Sequence, residues 1–204
     1  LTGLLQQFSD WYLSVLAQGG YWLIAGLMAL ESTLIPLPSE VIIPPAAYLA
    51  QTQGLFSVYG VILAGTAGSL IGASVMYFAA RALGRPFVMR FGPYLGLNAE
   101  RLELAERWCS RYGWVGVFFA RLLPVIRHLI GIPAGILSLG YRRYAAVTLV
   151  GSLLWCSVLA WLGVTVGRYP ELLAGSLRRF SLLVLAVAAI LWALYALIVK
   201  RAVR

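Results

Sequence analysis

The sequence predicts an all-α polytopic membrane protein. Its expected architecture is an inverted repeat of a re-entrant hairpin plus a transmembrane helix, with an extra C-terminal span and an N-terminal interfacial helix. Three observations lead there. The 204-residue chain is 61% hydrophobic and only 11% charged, which excludes an ordinary soluble domain. Its apolar stretches are interrupted by proline, glycine and charge at residues 31–47 and again at 119–135. These two interruptions share a build: moving the first forward by 88 positions puts Pro36 on Pro124, Pro45 on Pro133, Ala46 on Ala134, Ala47 on Gly135 and Glu40 on His128. One copy carries acids and the other carries bases. Broken hydrophobic segments at matching places in two halves point to a binding site of the secondary-transporter kind.

The elements follow in order. Residues 4–18 set Leu4, Leu5, Phe8, Trp11, Tyr12, Val15 and Leu16 at helical spacing. This stretch is too short to span and is expected to lie in the interface, ending at Gly19-Gly20. Residues 21–50 form the first broken segment. Its apolar run to residue 35 reaches about 22 Å, short of a hydrocarbon core of roughly 30 Å. Pro36, Pro38, Glu40 and Pro44-Pro45 then interrupt it. A hairpin that enters and leaves on one side fits this better than a single proline-kinked crossing helix, the competing reading. Residues 58–80 span, and Ala64, Gly68 and Gly72 form a small-residue stripe that admits a close neighbour.

Residues 81–112 hold six arginines and Glu100, Glu103 and Glu106. Asn98 is placed to cap a helix running to about Arg111, with Leu102, Ala105, Trp108 and Cys109 on its apolar face. This is expected to be a cytoplasmic amphipathic segment. Residues 113–140 form the second broken segment, residues 144–167 span, and residues 180–199 span again.

If both broken segments are same-side hairpins, eleven Lys/Arg collect on one side and three on the other. By the positive-inside rule the richer side, with the C-terminus, is cytoplasmic. The two hairpins then enter from opposite faces. A single crossing helix at 21–50 would move only the N-terminus, so the charges do not choose between these versions. The net charge of +9 does not indicate nucleic acid, because the arginines lie between apolar spans; anionic lipid headgroups suit them. Cys109 and Cys156 are isolated, so neither a disulfide nor a metal site is indicated. No basic region followed by a cleavage site opens the chain, so no signal peptide is expected.

The candidate site is built on Arg121 and Arg127. Buried arginine is costly in a membrane, roughly 2.5–3.5 kcal/mol on insertion scales. Non-helical backbone at that depth is tolerated only where protein or a polar cavity surrounds it. Six residues apart, the two arginines do not share a helix face, but Pro124 between them lets both converge on one cavity. A guanidinium binds phosphate through paired N–H donors and stays charged when buried, so lipid phosphate is the expected ligand. The plainer reading is a structural ion pair with Glu31 or Glu40. These two acids are candidate proton carriers, since a carboxylate that alternates between an arginine and an apolar wall can bind and release a proton. Glu40 sits at the broken tip and is favoured for coupling; Glu31 is favoured as a structural partner. Pro36, Pro38, Pro124, Pro133 and Gly135 are expected to break the hairpins. His128 is the lone histidine, and more often such a residue packs than binds. Trp155, Trp161 and Trp192 are expected to face lipid or the interface.

The pattern Glu31-x4-Pro36-x-Pro38-x-Glu40, followed by Phe119-x-Arg121-x2-Pro124-x2-Arg127-x6-Ala134-Gly135, resembles the DedA family, also called VTT or SNARE-associated membrane proteins. The resemblance covers about residues 21–167. It implies a bacterial inner-membrane protein with two re-entrant hairpins that moves phospholipids or the carrier lipid undecaprenyl phosphate, with proton coupling in some members. It also maps the family's functional acids onto Glu31 and Glu40 and its functional arginines onto Arg121 and Arg127. His128 has no counterpart to carry over.

Three functions compete. The first is a flippase for a phosphate-headgroup lipid, most concretely undecaprenyl phosphate. The second is a phospholipid scramblase or a proton-coupled small-ion transporter using the same four residues. The third is an intramembrane lipid phosphatase, disfavoured because no paired His/Asp set and no Ser or Cys beside a base is present. No cofactor is expected, protons and phosphate-headgroup lipids are the expected partners, and the sequence leaves the oligomeric state open.

Overall fold

The computed structural model describes residues 2–33, 38–91, 99–123, 126–127 and 129–168. The expected span at 180–199 and the positions Pro36, Pro124, His128 and Trp192 lie outside the described residues. Among the described residues every regular element is helical: α1 (Thr2–Glu31), a short 3-10 turn (Ser39–Val41), α2 (Ile43–Gln53), α3 (Val58–Phe91), α4 (Ala99–Arg121), α5 (Gly131–Ile136) and α6 (Tyr141–Arg168). Residues 1–167 make one compact unit. Among the described residues three stretches are long and apolar enough to cross a membrane: Trp11–Glu31, Val58–Pro86 and Tyr141–Thr165.

Helix α1 bends at Gly20, whose φ of 59° belongs to the left-handed region that glycine alone enters without penalty. The expected stop at Gly19-Gly20 falls at this kink, beyond which a second helical stretch runs to Glu31. By length and composition the apolar run begins at Trp11 rather than at Tyr21, and the kink at Gly20 divides it. After the bend, Tyr21 Oη accepts a 2.7 Å bond from the Ser57 N–H, and at the far end Glu31 Oε1 accepts one from the Ser39 N–H at 3.0 Å. Residues 21–31 and α2 consequently run antiparallel. Pro44 and Pro45 fall in the first turn of α2, where a missing N–H costs nothing.

The small-residue stripe on α3 does what its spacing predicts. A Cβ at Gly68 would strike the Ala25 carbonyl oxygen. One at Gly72 would strike the Ala29 carbonyl oxygen and come within 2.8 Å of Ser32 Cβ. These contacts set α3 directly on residues 21–31 of α1. Ala64, partly buried, packs against the core formed by Ile24, Met28, Ile43, Ala47, Val61 and Leu159. A second core joins α3, α4, α5 and α6 through Tyr77, Cys109, Val117, Ala134 and Tyr144, with the Tyr77 and Tyr144 rings stacked at 4.8 Å.

The helix expected to run to about Arg111 is interrupted two residues later, at Gly113 (φ 54°), and a second helical stretch continues from there to Arg121, with Trp108 Nε1 donating to the Gly116 carbonyl across the kink at 3.1 Å. Before the bend its apolar face is as expected: Leu102 and Cys109 are buried. Its polar face carries the Glu103–Arg107 pair at 2.8 Å, and the Arg107 guanidinium holds the Glu103 carboxyl below its usual range. Burial pushes the Cys109 thiol up to about 12, so it is an inert packing residue.

Pro133 and Gly135 do not break the chain where they stand. Both lie within α5. Pro133 is in its first turn, where proline fits. Gly135 lets α5 approach the Tyr77 carbonyl oxygen of α3. Between Arg121 and Gly131 the described backbone forms turns. Pro38 fits the expectation better: its extended backbone (φ −72°, ψ 126°) precedes the 3-10 turn.

Replacing Gly68 or Gly72 by leucine should therefore force α1 off α3 and destabilise the protein by about 1–3 kcal/mol or more. Thermal unfolding in detergent reads this as a lowered midpoint. Gly26→Ala, where an added Cβ meets open space, should leave the midpoint unchanged.

Candidate functional site

The two interruptions meet at Arg127. Its guanidinium Nη2 lies 2.5 Å from Glu31 Oε1 at the end of α1 and donates to Ser39 Oγ at 3.0 Å. Ser39 Oγ also accepts from Trp155 Nε1 of α6 at 3.1 Å, and the Trp155 ring centroid lies 5.2 Å from the Arg127 guanidinium carbon. All of this is buried: Glu31 is 0% and Arg127 6% exposed. A buried ion pair holds only where hydrogen bonds and geometry offset the loss of hydration. Ser39 bridges both partners, and the indole face adds a cation–π contact. The 3-10 turn is what points the Ser39 N–H and hydroxyl at the pair.

Arg121 stands apart. It is 5% exposed. Its Nη2 donates to Tyr144 Oη at 3.1 Å, and Tyr144 in turn donates to the Ala73 carbonyl at 3.2 Å. The Tyr144 ring centroid lies 5.8 Å from its guanidinium carbon. None of the ion pairs among the described residues includes Arg121. Its Nε is buried without a hydrogen-bond partner.

Hydroxyls from three helices form a third cluster. Ser69 of α3 lies 2.9 Å from Ser32 Oγ after α1 and accepts from Ser152 of α6 at 3.1 Å. On α6, Tyr144, Thr148, Ser152 and Trp155 recur at helical spacing, so one face of an apolar span carries the polar groups.

Of the predicted site residues, Arg127 and Glu31 are brought together and Arg121 is buried nearby in sequence but with different partners. Glu40 is not brought to either arginine: it is half-exposed, and its described contact is Ser39 Oγ at 3.5 Å. Trp155, expected at lipid or the interface, is instead part of the site, whereas Trp161 is 66% exposed. Ser39, Tyr144 and Thr148 were not singled out by sequence, and Trp155 was not assigned to the site. Two signals pointed at them: Ser39 occupies the position 88 residues before Arg127, and the polar residues of α6 share one face. Among the described residues no group of three His, Cys, Asp or Glu side chains is placed to hold a metal.

These features define a helical membrane protein with a buried, arginine-centred polar core. The chain belongs to the VTT-domain family, the DedA family, whose domain matches residues 37–165. It is 35% identical to a protein named alkaline phosphatase-like protein in Lactococcus lactis subsp. lactis, over 91% of this chain and 89% of that one. It is 30% identical to undecaprenyl phosphate transporter A of Bacillus subtilis, over 81% and 83% of the two chains. The same identity is found with undecaprenyl phosphate transporter A of Staphylococcus aureus, over 84% and 86%. No solved structure matches.

The Arg127–Glu31 pair gives a direct test. Removing one partner of a buried pair strands the other, at about 3–5 kcal/mol. Arg127→Leu and Glu31→Leu should each destabilise by that order, and the double variant by clearly less than their sum. Unfolding midpoints of the four proteins in detergent complete the cycle.

Proposed function

We propose that this protein carries a phosphate-headgroup lipid, undecaprenyl phosphate in the first instance, across the bacterial inner membrane. The observation that carries the proposal is Arg121: a permanently charged side chain, 5% exposed, with no carboxylate paired to it among the described residues. A buried charge of this kind calls for an anion, and a guanidinium suits a phosphate. Relatives named undecaprenyl phosphate transporter A support the choice of lipid.

Arg127 is the second station. Glu31 occupies it in the resting arrangement, so a phosphate that reaches Arg127 competes with the carboxylate. A Glu31 displaced in this way takes up a proton, which couples the lipid to the proton gradient; Glu40, at the half-exposed tip, exchanges that proton with water. The two broken segments act as re-entrant hairpins of an inverted repeat, with the C-terminus cytoplasmic. The antiparallel run of residues 21–31 against α2 supports the first hairpin. The Ser39–Arg127 bond supports the repeat, because residues equivalent by the 88-position offset meet each other only near a pseudo-twofold axis.

The relatives named alkaline phosphatase-like favour a second reading, hydrolysis of the lipid phosphate. One experiment separates these. Protein reconstituted in liposomes is given a trappable undecaprenyl phosphate, with and without a pH gradient. Gradient-dependent movement is expected, slowed roughly ten- to a hundredfold in Arg121→Ala and Arg127→Ala by the loss of charged hydrogen bonds. Release of inorganic phosphate would assign the phosphatase instead. Equal movement of any phospholipid without a gradient would assign a scramblase. No lipid movement from folded protein would overturn the proposal in favour of small-ion exchange.

A further inference from the structure

Arg121 lies lengthwise along α6. At one end, a Cβ built on Gly151 would sit 3.2 Å from Arg121 Cβ and 3.9 Å from its Cδ. At the other, Arg121 Nη2 reaches Tyr144 Oη at 3.1 Å. Thr148 falls on the same helix face, one turn after Tyr144 and three residues before Gly151, so the middle of the arginine side chain passes its turn. Each of these two side chains carries an orphaned polar atom: among the described residues, Arg121 Nε and Thr148 Oγ1 are both buried without a hydrogen-bond partner. Thr148 is 0% exposed.

A helical hydroxyl has an easy escape from that condition, which is to donate to the carbonyl four residues back. Ser157 and Thr165 of α6 do this at 2.7 and 2.8 Å, and Thr66 and Ser74 of α3 do it at 2.7 Å. Thr148 does not. Leaving two buried donors unmade on side chains that share this face of α6 is costly, and among the described residues no carboxylate pairs with the arginine's charge. A water molecule satisfies the hydrogen bonds and leaves the charge; an anionic oxygen answers both.

We propose that Arg121 Nε and Thr148 Oγ1 together hold a terminal oxygen of a phosphate group, and that this subsite between α4 and α6 selects phosphate monoesters over diesters. The proposal rests on the phosphate-lipid reading above and names the group that recognises the headgroup. Both donors are buried, so the oxygen that reaches them bears no further substituent. A monoester offers three such oxygens and free phosphate four. A diester offers two, flanked by carbon chains on both sides. Tyr144, fixed by the Ala73 carbonyl, is a positioning residue: it holds the Nη2 end of the guanidinium and leaves Nε unbonded.

The test uses the full chain in detergent and follows its unfolding midpoint against three probes: inorganic phosphate, a short polyprenyl monophosphate and phosphatidylglycerol, a diester. Wild type, Thr148→Val and Thr148→Ser are compared. Stabilisation by the monophosphate and not by the diester is expected. Thr148→Val should weaken it on the order of tenfold, and Thr148→Ser should restore it. Without ligand, Thr148→Val should be as stable as wild type or more so, since it removes an unbonded hydroxyl. A response to inorganic phosphate as strong as to the polyprenyl ester supports the subsite and assigns its source to free phosphate. Undiminished monophosphate binding by Thr148→Val overturns the subsite and leaves the phosphate-lipid reading standing. So does a less stable ligand-free Thr148→Val, which gives the hydroxyl a structural partner. Equal stabilisation by phosphatidylglycerol overturns the monoester selectivity. No response of wild type to any phosphate compound overturns the phosphate-lipid reading and this subsite with it.

Discussion

The structure turns on one ion pair. Arg127 and Glu31 are 96 positions apart in the chain and meet in an interior that excludes water. Burying both charges is unfavourable until their attraction is completed by further hydrogen bonds. That requirement explains the local architecture on either side. The helix preceding Glu31 must end there, and the 3-10 turn after Pro38 must aim the Ser39 N–H and hydroxyl back at the pair. On α6, an indole has to stand where a lipid-facing span would otherwise carry an aliphatic residue. The close packing of α1 on α3 at Gly68 and Gly72 brings Glu31 to the depth where Arg127 finds it. One electrostatic contact thereby ties the first interruption to the second and both to α6.

The second arginine gives the arrangement its asymmetry. Arg127 is neutralised by a carboxylate; Arg121 is held by a neutral phenol, itself fixed to a backbone carbonyl. In the proposed carrier, a closed pair at one arginine and a charge that no carboxylate among the described residues neutralises at the other would let an anionic ligand be drawn to Arg121 and then compete at Arg127. The hydroxyls of Ser32, Ser69 and Ser152 join α1, α3 and α6, giving the polar core a third contribution besides the arginines.

Much of the fold was legible because its signals are local. Apolar runs of spanning length, the proline-rich stretch after Glu31 and the glycine stripe on α3 each act through neighbouring residues. The limits of legibility are equally physical. The kink at Gly113 falls close to the helix end expected near Arg111; what the sequence did not signal is the helical stretch beyond it, which the Trp108–Gly116 bond and the burial of Val117 hold in place. Pro133 reads as a breaker and instead begins a helix, since proline is compatible with a first turn. In the site, the buried arginines were legible from the cost of placing charge among apolar residues. Glu31 was favoured over Glu40 as the structural partner of an arginine, and it is Glu31 that pairs with Arg127; which of the two arginines it would reach was not legible, because that depends on how the two interruptions pack together. Trp155 read as a lipid-facing or interface residue because tryptophan in membrane spans is enriched there. Ser39 and Thr148 are small neutral residues whose signal lies in a repeat offset and a helix face rather than in their type.

The central claim is that a lipid phosphate contacts the buried guanidinium groups. Solid-state NMR measures this directly, by dephasing of the phosphorus signal of a polyprenyl monophosphate by arginine nitrogens in protein labelled at arginine and reconstituted in liposomes. The account predicts strong dephasing, corresponding to direct N–H to oxygen contact, that is largely lost when Arg121 is replaced by lysine. Phosphorus that feels no arginine nitrogen in folded protein, or that feels it equally after that replacement and after the same change at Arg127, would contradict it.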